Sequence, residues 1–343
     1  MNCGIVGWGA CTGNGGWNYE LSRHCPWITK WLCPAHPKKA YHDPYVTGDP
    51  KVIKCKKSGD TAKYISFLEN LDALLFIERP YIEGFDLLGH ARHLGIKTIY
   101  CPMWEWHCTA SPWTRNVDII WYVTKHTEQY IEAMSPKKSW GDSKFYLPWG
   151  VDLDHFEFKL RTVCEKFLFV NGNGGVMLRK GSDTLFQAAR YVPEIPILFL
   201  TQSLNYPPEI PRNVEVIHKE FPEKKDVYQE GDVFLAPSHW EGLAHQLYEA
   251  QACGIPVVTT DAPPMNECGT PFLTKTKSFR SVSLGRQRIS SVDASANDLA
   301  LTMQTLFGEH IEEESKWGRQ RMEEKYNVVT ICEELGSNIR SFL

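Results

Sequence analysis

The sequence predicts an α/β protein of two Rossmann-like halves, and three observations carry that reading. Short apolar runs of strand length alternate with helix-length stretches along the chain, the pattern of parallel sheets with helices on both faces. Each half opens on a buried-strand run followed by a glycine-rich turn: CGIVGW with Gly9 to Gly16, then KFLFVNG with a second such turn. The 343 residues are enough for two domains of ordinary size. Two such halves joined by a short linker would face each other across a cleft at the strand C-termini, where open α/β sheets bind ligands.

The elements follow in order. After CGIVGW and its turn, a helix is expected over Trp17 to Cys25, then an irregular Lys/Pro/His-rich region to about Gly59. Helix Ala62 to Leu71 leads into strand ALLFIE, and helix Leu87 to Leu94 into TIYCP. Strand VDIIWYV precedes helix Glu128 to Met134, and FYLPWGVDLDHF, 145 to 156, closes the half. In the second half, KFLFVNG and its turn lead to helix Ser182 to Ala189, then to strands PILFLT, VEVIHK and GDVFLAPS. The stretch 241 to 261 reads EGLAHQLYEAQACGIPVVTTD. Its helix ends at Gly254, which accepts a left-handed C-cap. Pro256 stops it, and Val257 to Thr260 form a short buried strand. Glu312 to Leu343 is helical by the spacing of Trp317, Met322, Ile331, Leu335 and Ile339. The domains are therefore expected at 1–150 and 151–325, with a helix over 326–343 packing back on the first.

Composition narrows the function. Charged residues are 23% and hydrophobic ones 43%, as in soluble globular proteins. A net charge of -4 argues against nucleic acid as a partner. MNCGIVGWGACTG lacks the basic start and apolar core of a signal peptide, and no run of 18 apolar residues occurs. The 11 cysteines include no C-x-x-C pair, so scattered reduced thiols in a cytoplasmic protein are expected.

Glu241 and Glu249 are the most informative pair. Eight residues apart, they would lie about 80° off a common helical face and roughly 12 Å apart along the axis if all were helical. That offset suits no tight acid/base dyad. It suits a ligand with hydroxyls at both ends and a charged middle. The turn Gly242-Leu243-Ala244 lets backbone N–H groups approach that middle, and the helix N-terminus adds its positive dipole end. A nucleotide-sugar has this form. The bland alternative is a surface helix with two solvated glutamates.

Four motifs in order extend the pattern: LPWGVDLDHF at 147–156, VNGNGGVMLRKGSDTL at 170–185, DVFLAPSHWEG at 232–242, and the E-x7-E stretch itself. Together they resemble the family-4 retaining glycosyltransferases of the GT-B fold, over roughly residues 145 to 262. The N-terminal half matches only in pattern. The resemblance implies a metal-independent hexosyltransferase with no cofactor, whose donor is a GDP- or UDP-hexose, with a lean to GDP-mannose. It implies a glycan or glycolipid acceptor, with peripheral membrane contact if the acceptor is a lipid. Glu241 would hold the donor sugar, Gly242, Leu243 and Ala244 would contact sugar and diphosphate, and Glu249 would bind the ribose. Lys180 would neutralise the leaving diphosphate, and Gly13, Gly15 and Gly16 would approach it from the other half. Catalysis would rest on Glu241, Lys180 and Glu105.

The chain departs from the family in two places. The usual arginine five residues before the lysine is Gly175. Arg179 could replace it, although adjacent residues on regular structure point apart. The usual histidine after a central strand is replaced by Met103-Trp104-Glu105-Trp106-His107. Glu105 or His107 could face the reaction centre, and Trp104, Trp106 and His107 are the acceptor candidates. Ten of twelve tryptophans precede residue 150, Trp113 among them, as either glycan-stacking faces or core. Lys51, Lys54, Lys56 and Lys57 could touch an anionic membrane or be a solvated loop. Asp152-Leu153-Asp154 spells D-x-D but lies within the linker motif and reads as structural. The alternatives are a GT-B-fold sugar-nucleotide epimerase or a non-catalytic nucleotide-sugar-binding protein.

Overall fold

A seven-stranded sheet and a six-stranded sheet, both parallel throughout, organise the chain. The computed structural model describes all residues except 11, 38–39, 108–116, 135–142, 174–177, 222 and 285–286. It divides into two compact units, Met1–Gly150 with Val328–Leu343, and Val151–Asn327.

The first unit holds β1 (Cys3–Val6), β2 (Ile28–Pro34), β3 (Val52–Cys55), β4 (Ala73–Ile77), β5 (Lys97–Cys101), β6 (Ile119–Tyr122) and β7 (Lys144–Tyr146), in the order β3-β2-β1-β4-β5-β6-β7. The central strands β1, β4 and β6 are buried along their whole length, as strands covered on both faces must be. Helices α1 (Gly13–His24), α2 (Asp43–Val46), α3 (Thr61–Leu68), α4 (Leu87–His93) and α5 (Lys125–Met134) accompany them.

Two expectations change here. Helix α1 starts at Gly13, four residues earlier than the composition predicts, because Thr12 caps it: its hydroxyl accepts from the Gly15 amide at 3.0 Å. The region before Gly59 is also not irregular, since it contributes β2 and β3. Strand β2 was obscured by Lys30, whose ammonium donates to the carbonyls of Ser66, Phe67 and Glu69 at 3.0, 3.1 and 2.8 Å and so closes the C-terminus of α3. Strand β3 is an edge strand, where polar residues are expected.

The early tryptophans serve packing more than display. The indole N–H groups of Trp31, Trp121 and Trp149 donate to Gly7 O, Leu147 O and Glu20 Oε2 at 2.9, 2.8 and 2.9 Å, and all three rings are buried. Trp113 lies outside the described residues. Three of the four lysines in the basic group are engaged locally. Lys51 donates to Ser22 O, Lys57 pairs with Glu83, and Lys54 lies 5.1 Å over the Tyr41 ring.

The second unit holds β8 (Phe167–Gly172), β9 (Ile197–Thr201), β10 (Val214–His218), β11 (Val233–Ala236), β12 (Val257–Thr260) and β13 (Phe272–Thr274), in the order β10-β9-β8-β11-β12-β13. Helices α6 (Ser182–Tyr191), α7 (His245–Ala252), α8 (Ala296–Leu306) and α9 (Glu312–Lys325) belong to it. An antiparallel hairpin of β14 (Thr276–Leu284) and β15 (Gln287–Ala294), unforeseen in the sequence, follows β13. Asp152 Oδ1 accepts from the amides of Asp154 and His155 at 3.2 and 3.1 Å, so the D-x-D aspartate caps a turn. The nine described cysteines are buried and free, while Cys11 and Cys108 lie outside the described residues.

The C-terminal helical stretch is broken at Tyr326 and Asn327, and the chain crosses units there. Its last helix, α10 (Val328–Arg340), buries Ile331, Leu335 and Ile339, and Trp27 Nε1 donates to Cys332 O at 3.2 Å. Leu335→Ala should therefore destabilise the first unit by about 3 kcal/mol, the usual range for a buried leucine. Urea denaturation followed by the fluorescence of this tryptophan-rich unit measures it, and a loss below about 1 kcal/mol would show that α10 is only loosely attached.

Candidate functional site

Strand β11 ends at Ala236, and the next residues carry the chain to Glu241 just before helix α7. Glu241 is 5% exposed, far from the solvated surface glutamate of the bland reading. Burying a carboxylate costs several kcal/mol unless it is paired. Here Lys180 Nζ donates to Oε1 at 2.8 Å, Ser238 Oγ donates to the same oxygen at 3.0 Å, and Arg179 Nη2 lies 3.7 Å from Oε2. Burial pushes the Glu241 carboxyl up, but Arg179 and Lys180 outweigh it and hold it below the usual range. Lys180 also donates to Gln246 Oε1 at 2.9 Å.

Arg179 and Lys180 thus converge on one carboxylate, contrary to the expectation that neighbours point apart. That rule holds for regular strands and helices, and these two residues lie in a turn that ends before α6. Gly181 makes the turn possible. It sits at φ 77°, and a Cβ there would lie 1.9 Å from Pro237 O. Position 175, where the family arginine is absent, is outside the described residues.

Ala244 enters α7 in the left-handed region at φ 61°, ψ 41°, an uncommon conformation for a residue with a Cβ. Gly242, Leu243 and Ala244 are all buried around this bend. Non-glycine residues held there mark over-determined structure, often at ligand sites. Glu249 lies within α7 and is 4% exposed. Tyr228 donates to its Oε2 at 2.6 Å, while His245 Nδ1 and Lys224 Nζ lie 3.1 and 3.5 Å from Oε1. Burial raises this carboxyl too, but Lys224, His245 and Tyr228 hold it far below the ordinary value. Lys224, Tyr228, His245 and Gln246 were not singled out from the sequence. The last two lie inside the E-x7-E motif and so were findable, whereas Lys224 and Tyr228 come from a short 3-10 helix over Lys224–Tyr228 that carries no motif.

The first unit holds the other candidates. Gly13, Gly15 and Gly16 form the first turn of α1 and not a free turn. Gly15 is sterically required, since a Cβ there would lie 1.9 Å from Ala10 O. A 3-10 turn over Trp104–Trp106 follows β5. Trp104 is 2% exposed, with His126 and Tyr130 edge-on to it at 4.7 and 5.4 Å, so its face is core and not a platform for a sugar. Trp106 is 42% exposed. Glu105 and His107 are both buried, and His107 Nδ1 lies 3.2 Å from Tyr100 Oη. Glu105 is 3% exposed, about as withdrawn from solvent as Glu241 and Glu249.

The Glu249 cluster makes a pH prediction. Its carboxyl is depressed on folding, so its stabilising effect is fully present above the unfolded value near 4.3 and is lost as pH falls toward the folded value. Glu249→Gln should lower stability by about 3 kcal/mol at neutral pH, and the difference from wild type should shrink only below about pH 4. Thermal melts of both proteins from neutral to acid pH test this. A difference that stays constant across that range would remove the ionised cluster as its cause.

Comparison with known proteins adds the family. The sequence family described as "Glycosyl transferases group 1" matches residues 204–275. The capsular polysaccharide biosynthesis glycosyltransferase CapM of Staphylococcus aureus is 28% identical over 156 residues, covering 44% of this chain and 35% of that protein. The D-inositol 3-phosphate glycosyltransferase of Xylanimonas cellulosilytica is 31% identical over 139 residues, covering 33% of each. The matched stretch thus spans about a third of the length of these curated relatives. Among solved structures, Anabaena HepE, crystallised with UDP and glucose, superposes with a TM-score of 0.69 at 12% identity over 99% of both chains. Glu241, Glu249 and Lys224, the cation beside Glu249, lie within the segment that matches the group 1 glycosyltransferases, and the two parallel sheets are those of the GT-B fold.

Proposed function

We propose that this chain is a retaining glycosyltransferase that moves a hexose from a nucleoside diphosphate sugar to a hydroxyl of a glycan or glycolipid acceptor. The observation that carries the reading is the Arg179–Lys180–Glu241 cluster beside the entry to α7. Two cations face one carboxylate, so the cluster keeps one unit of positive charge for an anion. The N-terminus of α7 adds its amide donors and dipole. A diphosphate matches that field, and the flanking carboxylates suit the hydroxyls at its two ends.

The reaction breaks the bond from the sugar's anomeric carbon to the diphosphate oxygen and forms one to the acceptor oxygen. Retention is assigned to front-side attack, with the acceptor proton passing to the departing diphosphate. Lys180 and Arg179 stabilise the charge that develops on that leaving group. Glu241 fixes both cations and accepts from a sugar hydroxyl. Both glutamates are held ionised, and neither is poised near neutral pH as a general acid. Glu249 accepts the ribose, since a carboxylate offers about four acceptor positions and described side chains engage three. GDP-mannose, favoured by the family resemblance, and UDP-glucose, favoured by the ligands of HepE, are the donors to test first. Nine buried free thiols suit the cytoplasm.

Calorimetry separates the two ends of the ligand. Glu249→Ala should weaken free nucleoside diphosphate and full donor alike, by about tenfold or more for a lost charge-assisted contact. Glu241→Ala should spare the sugar end's opposite, the ribose, yet damage donor binding or turnover more than nucleotide binding. If neither substitution changes either affinity in folded protein, the transferase reading loses its support.

A second measurement concerns the metal. With Lys180, Arg179 and the α7 amides as phosphate partners, donor affinity should be the same with and without excess EDTA. A fall on chelation that Mg²⁺ or Mn²⁺ reverses would assign the diphosphate to a cation instead.

A further inference from the structure

The hairpin of β14 and β15 packs one face inward and meets the loop before Glu241 at Val292, but its exposed residues have no part in the core or in the cluster around Glu241. Residues 276–294 contain four basic residues and one acidic one, Asp293, in a chain whose net charge is -4. Its two strands pair from Ser278↔Asp293 to Leu284↔Gln287, with an irregularity beside Lys277. Directly paired residues share a face. One face carries Val282, Leu284 and Ile289, all buried, and Ser291, also buried. The other carries Phe279, Ser281, Ser283, Arg288 and Ser290, all exposed, while Val292, paired with Phe279 at the base of the hairpin, is buried; Lys277 at the irregularity is exposed as well.

Phe279 is 75% exposed, the most exposed large apolar side chain among the described residues. Arg280 is neutralised by Asp293 at 3.0 Å and Lys275 lies 3.8 Å from Asp298. Among the described residues no ion pair engages Lys277 or Arg288. The exposed face therefore presents two cations and a phenyl ring set among small hydroxyls. A second copy is a poor occupant, since Lys277 and Arg288 would meet their own like charges and basic edges oppose strand-to-strand pairing. A soluble polyanion would satisfy the cations but leave the ring in water. An anionic bilayer takes both, the cations at its negative surface and the ring at the acyl boundary. Of the basic group at Lys51 to Lys57, the alternative place for such contact, Lys51, Lys54 and Lys57 are engaged within their own unit.

We propose that the outer face of this hairpin docks the protein on an anionic phospholipid membrane. Peripheral docking fits a chain in which no described helix is long and apolar enough to cross a bilayer. The proposal does not depend on which sugar is transferred, nor on transfer at all.

Flotation of the full chain with vesicles tests it. The protein should float with vesicles of phosphatidylcholine and phosphatidylglycerol in equal parts, not with phosphatidylcholine alone, and high salt should release it. The double variant Lys277→Ala/Arg288→Ala should lower the partition coefficient about 25-fold, at about fivefold for each charge removed. Phe279→Ser should lower it several-fold without changing its salt dependence. Lys54→Ala/Lys57→Ala should float like wild type. All substituted hairpin residues are exposed, and unchanged melting temperatures will confirm folding. Equal flotation with neutral vesicles, no flotation, capture by soluble heparin in place of vesicles, or flotation that survives the hairpin variants would each overturn the proposal.

Discussion

A buried carboxylate between two cations is the constraint on which the second unit's architecture turns. Glu241 at 5% exposure is tolerable only while Lys180 and Arg179 stay beside it. Holding two sequence neighbours on one carboxylate excludes regular structure at 179–180 and requires a tight turn. The turn in turn requires Gly181, because its φ of 77° and its approach to Pro237 O leave no room for a side chain. On the other side, Ala244 takes φ 61° so that α7 can begin immediately after the bend. Removing both cations would leave the buried carboxylate uncompensated, a larger loss than the net worth of the cluster. Residues far apart in sequence are thus bound to one electrostatic requirement.

The same requirement limits the chemistry. A general acid or base works best with a pKa near the working pH. Glu241 and Glu249 are both pulled the other way by their cationic neighbours. What such a cluster offers is a fixed field, preorganised and partly withdrawn from water, where charge stabilisation exceeds its value in solution. Chemistry that releases a diphosphate gains from that field, whereas proton shuttling by these carboxylates does not. An epimerase, which needs a defined acid/base set, is the poorer fit for this reason.

Sequence made the interior strands legible because burial on both faces leaves unbroken apolar runs, as in ALLFI over β4 and VVTT over β12. It made Glu241 and Glu249 legible because a motif fixes their spacing. It failed where a residue's role depends on partners distant in sequence. Lys30 disguises β2 because its charge serves the end of another helix. The Ser- and Arg-rich hairpin alternates only over short stretches such as 281–284, where Val282 and Leu284 are buried between exposed serines, too little to announce two strands. Trp104 read as a sugar platform, yet His126 and Tyr130, from α5, cover it. Arg179 read as divergent because the turn that redirects it depends on Pro237 as much as on its own neighbours. Tyr228 and Lys224 reach Glu249 from a different segment, a pairing no local pattern announces.

The hairpin and the Glu241 bend are not independent. His239, two residues before Glu241, accepts at its backbone carbonyl from the Val292 amide at 2.9 Å. Its ring Nδ1 lies 2.9 Å from Val292 O, and Nε2 lies 2.9 Å from Asp183 Oδ1 at the start of α6. One buried imidazole therefore joins β15, the strand-end loop and the helix behind the Arg179–Lys180 turn. A backbone pair and two ring contacts give that junction little freedom to hinge. Any surface that holds the hairpin consequently holds the loop carrying Glu241 in a defined orientation to it. For an enzyme acting on an acceptor confined to a bilayer, orientation of that kind converts a search through volume into a search over a plane, and places the loss of freedom in the docking step and not in the chemical one.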